Sequence, residues 1–214
     1  MRLLAFTPIW VSDEECARRQ DRYHRLAPEG VQVVLENLGS GSAVPRALET
    51  AEDITASSSA MAERYAQVDP AQWDGFLPDC VLDPVEDGMT RSGTPVFGLG
   101  RLAAHHVAGL GLSMVAVARN QAIASELDRR FAQYRVATVA PTMALGLCVD
   151  DIADDAAWGA TVAERIDGFD CDVVFNACSA VEVVAATRRP VLVDPTWAAL
   201  RMLAVGSTAL GTGT

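Results

Sequence analysis

The chain has 214 residues, half of them hydrophobic and 21% charged, which is enough to bury a substantial apolar core as one large domain or two small lobes. A net charge of -11 and a pI near 4.6 disfavour a nucleic-acid surface. Five cysteines without CxxC spacing fit free thiols in a reducing compartment, and the opening residues lack the apolar run of a secretory leader, so a cytoplasmic protein without a metal site is expected.

In chain order, a short apolar strand is predicted over 2–6, then an amphipathic helix over 12–26 with Ser12 as its cap. A second strand follows at 31–36 and a longer stretch, 39–65, ends in a helix closing on Ala62-Glu63-Arg64. Trp73-Asp74-Gly75-Phe76-Leu77-Pro78-Asp79-Cys80 carries a third strand, Thr94-Pro95-Val96-Phe97-Gly98 a fourth, and 101–110 an apolar helix. The order then starts again, with a strand at 113–118, a helix at 121–134 capped by Asn120, and a strand at 136–140. A stretch over 142–166 ends on Ala163-Glu164-Arg165, and the next strand leads to Asn176-Ala177-Cys178. Arg189-Pro190-Val191-Leu192-Val193 and a helix over 196–204 complete the second round. The uncharged stretch 102–118 approaches the length of a membrane span, but His105, His106, Gly109 and Gly111 divide it into a buried helix, a turn and a buried strand.

Strands alternating with helices predict an α/β protein of two pseudo-symmetric lobes, each a roughly four-stranded parallel sheet flanked by helices. The first lobe is expected over 1–100 and the second over 101–195, with the helix near 196–205 crossing back or packing at the seam and 206–214 forming a flexible tail. Parallel sheets bind ligands at the carboxyl ends of their strands, so Cys80 and Cys178 are expected to flank one cleft between the lobes. The turn amides after each cysteine can stabilise a thiolate, and a thiolate facing a thiol across a substrate carbon inverts a stereocentre without a cofactor. Cys16, Cys148 and Cys171 have no repeated counterpart and read as small hydrophobes.

Asp79-Cys80-Val81-Leu82-Asp83-Pro84 with Pro95-Val96-Phe97-Gly98-Leu99-Gly100 downstream resembles the first cysteine motif of the aspartate/glutamate/hydantoin racemase superfamily. Asn176-Ala177-Cys178-Ser179 resembles its second motif, the Asp-Pro after the first cysteine is nearest the hydantoin racemase branch, and the likeness runs through Asp194-Pro195. The resemblance implies a two-lobed, cofactor-independent enzyme with Cys80 and Cys178 as acid and base on a carbon α to a carbonyl or carboxylate. It implies that the amides of Val81 and Ser179, with the Ser179 hydroxyl, hold the substrate oxygens. Thr7-Pro8-Ile9-Trp10 stands where hydantoin racemases carry Asn-Pro-Asn, Ala177 replaces a glycine, and Arg101 takes a place where an acidic residue is common. These departures point away from hydantoins themselves and place Thr7 and Trp10 at the substrate rim, the indole either receiving a larger apolar group or plugging the seam.

The expected partner is therefore a small carbonyl or carboxylate substrate, with no nucleic acid or membrane, and a homo-oligomer is the default for such an enzyme. Decarboxylation or cis–trans isomerisation of a small acid is the rival chemistry on the same scaffold. A small-acid-binding protein or a thiol redox sensor is the rival of another class. His105 and His106 point about 100 degrees apart on a helix and cannot share a ligand. Ser57-Ser58-Ser59 reads as a surface loop or helix start, and Gly39-Ser40-Gly41-Ser42 as a flexible loop near the cleft.

Overall fold

The computed structural model describes residues 1–41, 43–86, 89–90, 93–148, 155–166, 168–183 and 189–209. The chain opens with β1 (Arg2–Phe6), α1 (Asp13–Leu26), β2 (Gln32–Glu36), α2 (Ala51–Tyr65) and β3 (Gly75–Phe76). It continues with α3 (Leu99–Gly109), β4 (Met114–Ala118), α4 (Gln121–Tyr134), β5 (Met143–Ala144) and α5 (Asp155–Ile166), and closes with β6 (Val173–Asn176), β7 (Val191–Val193) and α6 (Pro195–Ala209). The strands form two parallel sheets, ordered β2-β1-β3 and β5-β4-β6-β7. In each sheet the second strand of the round lies beside the first and the first beside the third, so the sequence repeat is a repeat of topology.

The first sheet has three strands rather than about four. Its fourth position survives as one parallel bridge, Phe76 with Val96, closed by Phe76 N–H to the Pro95 carbonyl (2.9 Å) and Phe97 N–H to the Phe76 carbonyl (2.8 Å). The pairing stops there because β3 is two residues long and the Phe97 ring fills the place of a Gly75 side chain. The strand expected at 136–140 also forms elsewhere. Val139 donates one bond to the Met114 carbonyl, then Pro141 removes a ladder donor, and the ladder forms only at Met143 and Ala144 against Val117 and Ala118.

Both faces of each sheet are covered, which is why the strands read as continuous apolar runs. Leu3 and Ala5 of β1 pack with Tyr23, Leu99 and Leu200, whereas Leu4 and Phe6 point the opposite way to Met61, Tyr65 and Phe76. Likewise Met114 and Ala116 of β4 join a core that runs across to Cys80, Val81 and Leu82, while Val115 and Val117 pack on Trp158 and Val162 of α5. Helix α6 places Ala199, Leu200 and Leu203 among the β1 residues of the first lobe. It continues to Ala209, past the residue where a tail is expected, and positions 210–214 of that tail lie outside the described residues.

Caps set the helix starts. Ser12 accepts from Glu15 N–H at 3.2 Å and Asn120 from Ile123 N–H at 2.9 Å, as their positions predict. Thr50 and Asp53 add a reciprocal capping box on α2. Stretch 102–118 divides into most of α3, a turn with Gly111 at φ 70 and β4, and no helix among the described residues is long and apolar enough to cross a membrane.

The lobes grip each other reciprocally through their first helices. From α1, Arg18 donates to the Ala180 carbonyl (2.7 Å), Arg22 to Asp194 (2.6 Å) and Arg25 to Glu182. From α4, Tyr134 donates to Asp83 (2.6 Å) and Arg130 to Glu86. Each lobe thereby fixes the loop that follows the other lobe's cysteine.

Asp83 also caps α3, its two oxygens accepting from Gly100 N–H (3.0 Å) and Arg101 N–H (2.7 Å). The residue is held at φ 47, and a side chain at Gly100 would run into the Val81 carbonyl. Gly100→Ala should therefore cost about 1–3 kcal/mol by forcing the Cys80 turn off its helix, measured as a lower urea midpoint. An unchanged midpoint would show that the turn yields freely.

Candidate active site

Cys80 and Cys178 sit in the loops that follow β3 and β6, and both line one cleft that encloses about 530 Å³ with its open mouth. Val81, Leu82, Ser179 and Ala180 line it beside their cysteines, Pro8 and Ile9 enter from the end of β1, and Leu48 and Ile123 add apolar walls. Its charged lining is Arg19 and Arg119. Two larger hollows, of about 810 and 1220 Å³, hold neither cysteine and are lined partly by surface residues of α2, α3 and α4.

The backbone treats the two sulfurs alike. Cys80 receives a hydrogen bond from the Leu82 amide and Cys178 one from the Ala180 amide, each two residues on. The intervening amides of Val81 and Ser179 donate to no group among the described residues, although both residues are nearly buried at 2% and 8% exposure. A pair of uncommitted buried N–H groups flanking the sulfurs is suited to a ligand oxygen that gains negative charge.

The charges differ between the two sulfurs. Burial pushes the Cys80 thiol up to about 12, opposed by the Leu82 amide and reinforced by the carboxylates of Asp83 and Asp79. Burial also raises Cys178, but there the Ala180 amide and the guanidinium groups of Arg19 and Arg22 pull the other way. Asp79 is 1% exposed and accepts from the Tyr23 hydroxyl at 2.8 Å and from Arg19 at 3.1 Å. Its backbone carbonyl accepts from the Ser179 hydroxyl at 3.0 Å, which joins the two cysteine loops directly. Burial works against the Arg19 charge, yet Asp79 and Glu15 outweigh it and raise the guanidinium above its ordinary range.

Arg119 occupies the position after β4 that Thr7 occupies after β1. It donates to the Leu48 carbonyl at 3.0 Å and pairs with Glu49, while Asn120 reaches the same carbonyl at 2.8 Å. These bonds hold the segment ahead of α2 against the second lobe, with Leu48 as a cleft wall.

The residues expected at the rim lie elsewhere. Thr7 is fully buried, its hydroxyl donating to the Ile9 carbonyl (2.8 Å) and accepting from Leu38 N–H (3.0 Å), so its polarity is spent within the lobe. Trp10 is half-buried beneath the Arg46 guanidinium, 4.4 Å from the ring centre, and is not among the residues lining the cleft. The Ser179 hydroxyl proton is committed to Asp79, leaving its amide as the uncommitted donor. Ser57 is neither loop nor helix start, since it lies within α2 and bonds the Pro8 carbonyl at 2.5 Å. His105 and His106 both lie on α3 and neither lines the cleft. Gly39, Ser40 and Gly41 form a loop that does not line it either, and position 42 lies outside the described residues.

Sequence reasoning missed Arg19, Arg119, Leu48 and Ile123. The available signal was α1 itself, where Arg18, Arg22 and Arg25 recur at helical spacing beside Arg19, a basic stripe in an acidic protein. Among the described residues no three His, Cys, Asp or Glu side chains converge to hold a metal ion.

No family model matches the chain, and no curated protein matches it. Solved structures do. Allantoin racemase from Klebsiella pneumoniae superposes with a TM-score of 0.80 at 19% identity, over 99% of this chain and 89% of that one. The maleate isomerase Iso from Pseudomonas putida S16 gives 0.64 at 17% identity, over 99% and 93%. Picrophilus torridus aspartate racemase gives 0.65 at 12% identity, over 97% and 94%. The chain therefore has the two-lobed fold shared by these members of the aspartate/glutamate/hydantoin racemase superfamily.

The Cys80 thiol supplies a test of its burial. It keeps its proton to about pH 12 when folded, whereas an ordinary thiol releases it near 9.0, so between these values the folded chain holds the extra proton and stability falls as pH rises. Urea unfolding across that window should lose up to about 1.4 kcal/mol per pH unit through this group. Cys80→Ala should flatten the slope, while buried Tyr23 and Tyr65, raised in the same direction, contribute equally to both proteins. Identical slopes would contradict a buried thiol.

Proposed function

We propose that the protein is a cofactor-independent racemase or epimerase that inverts a stereocentre α to a carbonyl or carboxylate, with Cys80 and Cys178 as its two acid–base groups. The observation that carries this reading is that the cysteines of the two duplicated halves line one cleft. The shared fold with an allantoin racemase and an aspartate racemase supports it, as does the isomerase chemistry named for the maleate enzyme.

The chemistry follows from the lining. One sulfur, as thiolate, takes the α-proton from one face of the substrate carbon, and the electron pair moves onto the adjacent carbonyl. The Val81 and Ser179 amides stabilise the oxygen that receives it, which lowers the barrier because these dipoles are already oriented. The opposite thiol then delivers its own proton to the other face. Apolar walls at Ile9, Leu48 and Ile123 exclude water from the carbanion and favour a compact substrate with an apolar substituent.

A panel of amino acids, cyclic amides and substituted malonates, followed by chiral chromatography, should reveal inversion of at least one member. For that substrate Cys80→Ser and Cys178→Ser should each lower kcat by about 10²–10⁴-fold, the range supplied by a positioned acid or base. Inversion at the parent rate in both variants would overturn the reading. Carbon dioxide release with a single retained product isomer would replace it with decarboxylation.

A further inference from the structure

The two cysteine loops are symmetric in backbone, but the helices behind them are not. Helices α1 and α4 are both 14 residues long and occupy matching places in their lobes. Aligned from Asp13 and Gln121, Arg19 falls opposite Leu127, Tyr23 opposite Phe131 and Glu15 opposite Ile123. The first lobe thus places a guanidinium, a phenol and a carboxylate where the second places hydrocarbon.

We infer that Arg19 is a positioning residue that keeps the negative charge of the resting cysteine pair on Cys178 and leaves Cys80 as the protonated partner, an assignment that rests on the two-cysteine reading above. Arg19 is 6% exposed yet lines the cleft. Its Nε donates to Glu15 at 2.7 Å and its Nη1 to Asp79 at 3.1 Å, and Nη2 has no hydrogen-bond partner among the described residues. The group is therefore held rigidly from behind, with donor capacity left on the cleft side. Cys178 is faced by Arg19 and Arg22 from α1, by Asp79 from the opposite loop and by the Ala180 amide of its own loop. Cys80 is faced by Asp79 and Asp83, both carboxylates, by Cys178 and by the Leu82 amide. A charge moved from Cys178 to Cys80 leaves two guanidinium groups, keeps Asp79 nearby and gains the Asp83 carboxylate as a neighbour, which is unfavourable in a partly buried cleft. Burial raises both thiols, Cys80 up to about 12, but at Cys178 the guanidinium groups of Arg19 and Arg22 oppose that rise, whereas at Cys80 the carboxylates add to it.

The consequence for turnover is directional. Resting enzyme consumes first the enantiomer whose α-hydrogen faces Cys178. The Cys178 thiolate becomes a thiol, the Cys80 thiol gives its proton to the opposite face and becomes a thiolate, and the resting form returns when solvent delivers a proton to Cys80 and takes one from Cys178.

The test is the pH dependence of iodoacetamide alkylation of the whole protein, resolved by cysteine-containing peptide, with exposed Cys148 as the internal standard. In the parent protein Cys178 should react ahead of Cys80 throughout the neutral range. Arg19→Gln should raise the Cys178 midpoint by about one pH unit, a roughly tenfold slower reaction at pH 7. Arg19→Lys should restore most of the rate, which a purely packing role would not do. Asp83→Asn supplies an arm that does not depend on the folding of Arg19 variants, and it should move the Cys80 midpoint down. Faster alkylation of Cys80 in the parent, an unmoved Cys178 midpoint in Arg19→Gln, or equal shifts of both cysteines would overturn the inference. Alkylation needs no turnover, so the expected order in a protein that inverts nothing would uphold the charge assignment and sink only the function.

Discussion

Asp79 is the residue on which the cleft depends. Its carboxylate gathers Arg19 and Tyr23 from α1, and its carbonyl takes the Ser179 hydroxyl from the second lobe, so one buried aspartate ties together a helix and both cysteine loops. The adjacent residue is Cys80, whose position relative to Cys178 is consequently set by a short chain of bonds rather than by a flexible seam. Such a network is costly to desolvate and is no argument for stability by itself. Its value in the proposed reaction is geometric, because a proton donor and acceptor must there be held about one substrate carbon apart.

Around that node the duplication supplies symmetry and the side chains remove part of it. Each lobe's first helix holds the other lobe's cysteine loop, α1 through Arg18 and Arg25 and α4 through Tyr134 and Arg130. Each sulfur meets the amide two residues on. The symmetric part of the design suits a reaction whose forward and reverse directions are mirror images. The asymmetric part, Arg19 against Leu127, suits the requirement of the proposed mechanism that a thiolate and a thiol coexist before substrate arrives.

Much of this was legible in the sequence where local rules decide. Strands β1 and β4 and helices α1 and α4 follow from apolar runs, helical spacing and the Ser12 and Asn120 caps, and the repeat placed Cys80 and Cys178 in corresponding loops. Legibility failed where a distant contact decided. Nothing local says that Phe97 will cover Gly75 and cut the fourth strand to a single bridge. Thr7 was expected at the rim because of its place after β1, but its hydroxyl is captured by the Ile9 carbonyl and the Leu38 amide, and the cleft is served instead by its counterpart Arg119. Arg19 was overlooked because an arginine on a helix rich in charged residues looks like its neighbours until Asp79, sixty residues away in sequence, is placed beside it.

The central claim is that two groups, one on each side of the carbon, exchange protons with the substrate. Isotope incorporation from a single protiated enantiomer in deuterium oxide, followed by NMR and chiral separation at early times, tests this most directly. Two opposed thiols require the newly formed enantiomer to be fully deuterated while the remaining starting enantiomer stays protiated. A product that retains the original hydrogen, or deuterium entering the starting enantiomer as fast as the product forms, would mean that one base serves both faces and would contradict the account.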